Sequence, residues 1–276
     1  MKIKCPICNE ELVKIDNLYR CLNRHSYDIA KEGYVNLLKK QGGKEFGDSI
    51  DMVKARRQFF LKDYYKPLKE KLTSLIQKYS PETLIDLGSG EGYYTNYFKD
   101  NSNVDIVGID ISKEAVRIAA KQNKDVTYIV GSVQDIPLFD KSVDMVINSF
   151  TPIDLEEVLR VLKRKGIFIT TKVGKNHLLE LKQSLYDEVY LNDNKPIEDE
   201  RLKLLESINV TFKIHLDSNE DINNLFMMTP YYHHTSLSSK EKLKTLNKLD
   251  VTCEFDVDVY KKNTLLLNLS NESRQV

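Results

Sequence analysis

Leu84-Ile85-Asp86-Leu87-Gly88-Ser89-Gly90-Glu91-Gly92-Tyr93-Tyr94-Thr95 reads as a short buried strand, a glycine turn and the first turn of a helix. Glycine at every second place from Gly88 to Gly92 lets the backbone bend sharply and lie close to a ligand. A dinucleotide fingerprint needs its third glycine three places after the second. That place holds Tyr93, so nicotinamide binding is a poor reading. A glycine-rich strand-to-helix turn with no ligand stays open until the next strand is read.

The next strand, 105–110, ends on Asp110, twenty residues after Gly90. At that spacing an acidic side chain on the neighbouring strand meets a ribose diol. The pattern continues as helix 113–122, strand 126–130, strand 143–148, helix 155–162 and strand 166–171. This alternation predicts an α/β fold with a right-handed, mostly parallel, doubly wound sheet. Two later strands, 210–216 and 251–260, suit an antiparallel end to that sheet. Between them 221–228 is amphipathic, and Met228-Thr229-Pro230-Tyr231-Tyr232-His233-His234 is rich in aromatic and polar residues. His233-His234 has no carboxylate or cysteine at ligand spacing, so it reads as no metal site.

At the N-terminus Cys5-Pro6-Ile7-Cys8 is followed, twelve residues later, by Cys21-Leu22-Asn23-Arg24-His25. Tetrahedral zinc takes four N/S ligands, commonly as pairs on two tight turns. The intervening residues predict a hairpin turning at Asp16-Asn17 that brings the pairs together. Cys5, Cys8, Cys21 and His25 are therefore the expected ligands of a structural Zn²⁺ with no open position. The remaining cysteine, Cys253, falls in an expected strand. A base deaminase is excluded, because its catalytic Glu would stand two places after a ligating His, where Tyr27 is found.

Composition fits a globular chain, 41% hydrophobic and 30% charged. No apolar run approaches the roughly 20 residues of a membrane helix, and Met1-Lys2-Ile3-Lys4 leads straight to Cys5, so the expected location is the cytoplasm, with no membrane partner. Net charge is zero but uneven. Residues 1–80 hold 17 Lys+Arg against 10 Asp+Glu, a formal +7, and the rest 24 against 31, a formal −7. The basic front suits a polyanion. The expected division is a zinc-binding module at 1–38, a linker and helical segment at 39–80, and the main domain at 81–276. Residues 39–47 read as a polar linker. Asp48-Ser49 caps an expected helix to Leu61, with Met52, Ala55, Phe59 and Phe60 near its buried face, and Pro67 starts another.

The zinc spacing, Asp28-Ile29-Ala30-Lys31-Glu32-Gly33-Tyr34-Val35-Asn36-Leu37-Leu38, Gly47-Asp48-Ser49, Ala55-Arg56-Arg57 and the glycine loop together resemble the bacterial 23S ribosomal RNA guanine-N1-methyltransferases. That family includes housekeeping enzymes and tylosin-resistance methyltransferases acting in hairpin 35. The resemblance runs from Met1 to Met228-Thr229-Pro230 and is weak beyond. It implies a class I, Rossmann-like S-adenosylmethionine methyltransferase with an N-terminal zinc module, acting on guanine N1 in a 23S rRNA hairpin. It implies that Asp86, Gly88 and Gly90 cradle S-adenosyl-L-methionine and that Asp110 holds its ribose. Where the superfamily often has an adenine-binding Asp, this chain has Ser132, followed by the Val133 amide. Tyr65, Tyr94, Thr95 and His177 would line the methionine end, and a homodimer with two fingers flanking RNA is implied. Ser89 departs from the Cys of many members, at a place a backbone cradle does not use.

The loop Asn148-Ser149-Phe150-Thr151-Pro152 stands where related enzymes present the acceptor base, and Tyr231 or Tyr232 could stack on it. Asp154 and Glu156 are weak candidates for the catalytic base, since each also reads as a surface charge at a helix start. Two rivals remain on sequence: a small-molecule methyltransferase with an accessory finger, and a non-catalytic zinc-containing RNA-binding protein.

Overall fold

Four short strands, β1 (Ile3–Lys4), β2 (Glu11–Ile15), β3 (Leu18–Arg20) and β4 (Ser26–Asp28), pair antiparallel in sequence order. β2 and β3 meet at Asp16-Asn17, where Asp16 takes φ +50°, a conformation Asp tolerates through its short polar side chain. The next strand, β5 (Tyr34–Asn36), leaves this finger and becomes the edge of the large sheet. Residues 34–36, grouped with the zinc module on sequence, thus pair with the large sheet. The computed structural model describes residues 1–39 and 49–263. The expected linker beyond Lys39, Asp48 of the expected cap and the tail lie outside the described residues.

Helix α1 (Ile50–Leu61) is capped by Ser49, whose Oγ accepts the Met52 N–H at 3.3 Å. Its buried face is Val53, Ala55 and Phe59, so Val53 takes the place expected of Met52. The next helix, α2 (Lys66–Tyr79), carries Pro67 in its first turn, where no N–H is missed. The main alternation follows: β6 (Thr83–Leu87), α3 (Tyr93–Asp100), β7 (Asp105–Asp110), α4 (Lys113–Gln122), β8 (Thr127–Val130), β9 (Val143–Ser149), α5 (Leu155–Val161) and β10 (Leu162–Val173). The C-terminal part is α6 (Leu179–Leu185), β11 (Leu202–Leu216), α7 (Asn219–Met227), α8 (Tyr231–His234), α9 (Leu237–Lys244) and β12 (Leu249–Lys262).

The large sheet runs β11-β12-β10-β9-β6-β7-β8-β5. Pairs from β10 through β5 are parallel, and β12 is antiparallel to both β10 and β11. β6 has β7 on one side and β9 on the other, so the winding reverses there. Crevices outside the carboxyl ends of strands at such a switch point are where open α/β sheets hold ligands.

Both faces of the sheet are covered, as parallel strands require. Leu84, Ile106 and Met145 face Leu68, Leu72 and Phe98 of the helical layer. Ile85, Val107 and Val146 face Val158 of α5 and also Ile3, Leu12 and Leu37. The finger thus shares the core of the second face. Ile3 bridges Leu138, and the Lys4 N–H donates to the Pro137 carbonyl at 2.8 Å. Burying Ile3 and Leu12 contributes about 1.5–3 kcal/mol each, which helps hold finger and sheet together.

Candidate active site

In the finger, the Cys5, Cys8 and Cys21 sulfurs and a His25 ring nitrogen lie within 4.8 Å of one another. Cys8 and Cys21 sulfurs are 3.6 Å apart, and His25 Nδ1 is 3.6 Å from Cys5 Sγ and 3.4 Å from Cys21 Sγ. Zinc with bonds of about 2.3 Å to sulfur and 2.0–2.1 Å to nitrogen sits in a tetrahedron whose edges are about 3.5–3.8 Å. These spacings fit such an ion. The Tyr27 hydroxyl lies 3.5 Å from Cys5 Sγ and tightens the cluster from outside.

At the carboxyl edge of the large sheet is a cavity of about 780 Å³, lined by Gly88–Glu91, Tyr93 and Tyr94, Asp110–Ser112, Ser132, Val133, Asn148–Ile153, Thr170, Thr171, His177 and Tyr231 among others. Gly88, Gly90 and Gly92 all have positive φ, at +77°, +54° and +84°. Only glycine takes three such turns in one loop without strain. Asp110 binds the loop to β7: its Oδ2 accepts the Gly90 N–H at 2.9 Å and its Oδ1 the Ser112 N–H at 2.8 Å. Asp110 lines the cavity beside this loop.

Buried Asp86 and Thr95 do not reach this lining. Thr95 Oγ1 donates to Asp86 Oδ2 at 2.5 Å beneath the loop. Burial pushes Asp86 up to about 7, against the pull of Thr95. These two brace the cradle from below. Tyr65, Tyr94 and His177 do line the cavity, with Tyr65 and His177 rings 6.4 Å apart. His177 is not a helix cap. It sits in a turn before α6, where Leu178 takes φ +56°, and its Nδ1 accepts the Glu254 N–H at 3.2 Å. Burial, then the nearby Lys182 ammonium, hold it down to about 3, so the ring is neutral.

Asp154 and Glu156 are absent from the lining. Asp154 caps α5, its Oδ1 accepting the Glu157 N–H at 3.2 Å, and Glu156 pairs with Arg201 at 2.7 Å. Neither points to the cavity as a catalytic base. The residues that sequence reasoning missed are Glu91 and Thr170, while Arg56, legible only as part of the Ala55-Arg56-Arg57 motif, also lines the cavity. Glu91 is buried and pushed up to about 7 by that burial, with Arg56 pulling it down.

Five buried side-chain atoms lack a partner among the described residues: Ser89 Oγ, Glu91 Oε1, Tyr94 OH, Asn148 Nδ2 and Thr170 Oγ1. All five residues line this one cavity. An orphaned buried polar group costs about 1–3 kcal/mol, so their gathering marks a site built for a polar ligand. Above Gly90 the cavity is open: a Cβ there would meet nothing within 4 Å.

Residues 3–42 match the family model described as RlmA, N-terminal, and residues 79–248 match the one described as Methyltransferase domain. The 23S rRNA (guanine(748)-N(1))-methyltransferase of Streptomyces fradiae is 32% identical over 189 residues, 66% of this chain and 67% of that protein. The chain belongs to the 23S rRNA (guanine-N1-)-methyltransferase family. A Bacillus subtilis (strain 168) protein carrying that family name provisionally is 27% identical over 270 residues, 92% of this chain and 95% of its own. The demethylmenaquinone methyltransferase of Thermotoga maritima is 33% identical over 106 residues, 36% of this chain and 46% of its own. The family's class I methyltransferase fold with an N-terminal zinc ribbon is the architecture described above, and its cofactors are S-adenosyl-L-methionine and a structural zinc ion. When bound, the former supplies a methyl group already activated on a sulfonium. No helix among the described residues is long and apolar enough to cross a membrane.

Proposed function

We propose that this enzyme methylates N1 of a guanine in hairpin 35 of 23S ribosomal RNA. The observation that carries the reading is the union of two sites in one body. The zinc cluster is built on strands that share the core of the cofactor-binding sheet, through Ile3, Leu12 and Leu138. The basic first 80 residues, 17 Lys+Arg against 10 Asp+Glu, suit a polyanionic acceptor better than a small molecule, and the polar atoms gathered in one cavity suit a bound methyl donor.

In this reading Gly88, Gly90 and Asp110 hold the nucleoside of the methyl donor, with Ser132 and the Val133 amide beside the adenine. Tyr65, Tyr94 and neutral His177 line the methionine end. Tyrosine faces there suit a sulfonium as cation–π partners, and a neutral imidazole avoids repelling it. The protein's work is alignment for in-line displacement and exclusion of water. The finger supplies the RNA contacts, in the cytoplasm and as a homodimer.

Methylation at N1 blocks Watson–Crick pairing, so it stops reverse transcriptase. Primer extension through hairpin 35 on 23S rRNA from a deletion strain should lose a stop that returns when the gene is restored. An unchanged pattern in hairpin 35, with N1-methylguanine still present there, overturns the assignment. Sedimentation of the purified chain tests the dimer, and a single monomer species would dismiss it.

A further inference from the structure

At the amino edge of the large sheet, opposite the cofactor cavity, lies a second groove of about 380 Å³. Tyr79, Glu82, Asp144, Arg164 and Lys165 are among its lining residues. β10 leaves the regular ladder there. Between the pairs Leu162↔Val143 and Ile167↔Met145 it spends five residues where β9 spends two. The extra residues bulge outward, and bulges re-aim side chains. Lys163 turns back to Asp144 at 2.9 Å. Arg164 and Lys165 stay exposed, Lys165 with φ +64°.

Two more cations flank the groove. Lys203 and Lys261 are direct partners in the β11–β12 register, and Lys261 also opposes Ile167, which lines the groove. Cross-strand partners share a face. Lys262 turns to the other face, where it is buried and donates to the Leu159 and Leu162 carbonyls, so the end of β12 is pinned. Like charges directly opposite one another are destabilising, a cost that the fold itself does not require.

Arg164, Lys165, Lys203 and Lys261 have no carboxylate partner among the described residues, because the nearby acids are taken. Asp144 is held by Lys163 and Thr83, and Glu206 by Lys78 and Tyr79. Glu82 is the one groove acid without a partner among the described residues. These cations gather on a part of the chain, 81–276, whose formal charge is −7. A basic patch against the prevailing sign is the footprint of a polyanion. Tyr79 is the one aromatic residue lining the groove, and its hydroxyl is bound to Glu206. Single strands are held by stacking on exposed rings, whereas duplex RNA is held through its phosphates and shape.

Helix α2 joins the two edges of the sheet. Tyr65 before it lines the cavity, Tyr79 at its end lines the groove, and its 14 residues span about 21 Å. That is about six phosphate steps along one strand of a duplex. Resting on the reading of the enzyme as an rRNA methyltransferase, we propose that Arg164, Lys165, Lys203 and Lys261 form a second RNA contact, which takes the phosphate backbone of a duplex flanking the target loop. Such a contact fixes register and orientation and carries no sequence information.

The test measures binding of the full-length enzyme to a synthetic stem–loop of hairpin 35 with its flanking helix, between 50 and 200 mM salt. Each neutralised phosphate adds about 0.7–0.9 to the slope of log affinity against log salt. Lys203→Gln with Lys261→Gln should therefore flatten the slope by about 1.5, and adding Arg164→Gln and Lys165→Asn by about 3 in all. Asn suits the left-handed backbone at 165. In the fourfold variant KM for protein-free 23S rRNA should rise about tenfold or more, while kcat at saturating rRNA and affinity for S-adenosylhomocysteine stay unchanged. Exchanging the same charges, Lys203→Arg, Lys261→Arg and Arg164→Lys, should keep the parent slope. An unchanged slope in the fourfold variant overturns the patch. So does an equal flattening in a control with Lys113→Gln and Lys121→Gln on α4, or an equal loss of affinity for the loop sequence as a single strand. A parent enzyme that does not methylate guanine N1 in rRNA fails the functional reading itself, before any variant is compared.

Discussion

Gly90 and Gly88 separate what the glycine loop does for a ligand from what it does for the fold. Both have positive φ, so an alanine at either costs about 1–2 kcal/mol of backbone strain. Beyond that they differ. A Cβ on Gly90 would meet nothing within 4 Å, whereas one on Gly88 would fall 1.8 Å from Thr151 Oγ1 and 2.7 Å from Thr151 Cβ. Gly90→Ala should therefore lower the melting temperature of the ligand-free enzyme by about 2–8 °C, at roughly 2–4 °C per kcal/mol for a chain of this size. Its methyl would stand in the space a bound nucleoside needs. The parent should gain about 2.7 kcal/mol from S-adenosylhomocysteine at 100 times its Kd, and Gly90→Ala should lose most of that gain. Gly88→Ala should instead destabilise the ligand-free protein by more than the strain alone, since the 149–152 loop must shift. Thr151→Ala in the same chain should return part of the loss, because Oγ1 and Cγ2 are removed while Cβ stays. Differential scanning fluorimetry with and without S-adenosylhomocysteine reads all of this. A Gly90→Ala enzyme that keeps the full ligand-induced shift would refute a cofactor backbone lying over that glycine.

Four further outcomes follow from the geometry. Asp110→Ala should weaken S-adenosylhomocysteine binding by about 1.5–3 kcal/mol, the scale of hydrogen bonds to a charged group, and unchanged affinity by calorimetry would remove Asp110 from the ribose. Cys8→Ser should abolish stoichiometric zinc by elemental analysis and reduce rRNA methylation while most S-adenosylhomocysteine binding survives; joint loss of both would show that the ribbon supports the cradle itself. Asp86 has its pKa raised from 3.8 to about 7 by burial, so the stability it contributes is full below about pH 4 and is lost as pH rises through about 7. Over that window the ligand-free enzyme should lose up to about 4 kcal/mol that Asp86→Asn does not lose, and parallel curves in chemical denaturation would contradict the burial argument. Asp154→Ala should cost about 1 kcal/mol as a lost helix cap and leave the pH–rate profile in place; a vanished pH dependence would return Asp154 to the role of base.

What could be read from sequence was what is local or strictly spaced. The zinc ligands sit on two short turns joined by a hairpin, so their spacing alone closes the site. Asp110 follows from strand geometry after Gly90. The β6-to-β10 alternation carries its own handedness. What escaped depends on which side a residue faces once the sheet forms. Asp86 in β6 and Thr95 in α3 flank the loop but point beneath it to each other. Asn148 was legible as part of a loop, yet its pairing with Thr170 exists only in the β9–β10 register. Arg56 reads as one cation among several on α1, and only tertiary packing turns it toward Glu91. Tyr34–Asn36 is three residues long, too short for a period to show, and its strand is made by its partner.

That last strand bears on how the protein can be cut and recombined. β5 pairs with β8 through Tyr34↔Tyr128 to Asn36↔Val130, and Val35 and Leu37 are buried with the sheet. A ribbon cut off at residue 38 would carry away β5, one of the sheet's two edge strands. It would leave the β8 edge bare, an invitation to intermolecular pairing. A seam placed between β4 and β5, near Ala30, keeps β5 on β8 and cuts the short contacts of Lys4 with Pro137, Ile3 with Leu138, and Ile29 and Ala30 with the β5 end, so chains divided there should remain monodisperse where chains divided at residue 38 aggregate.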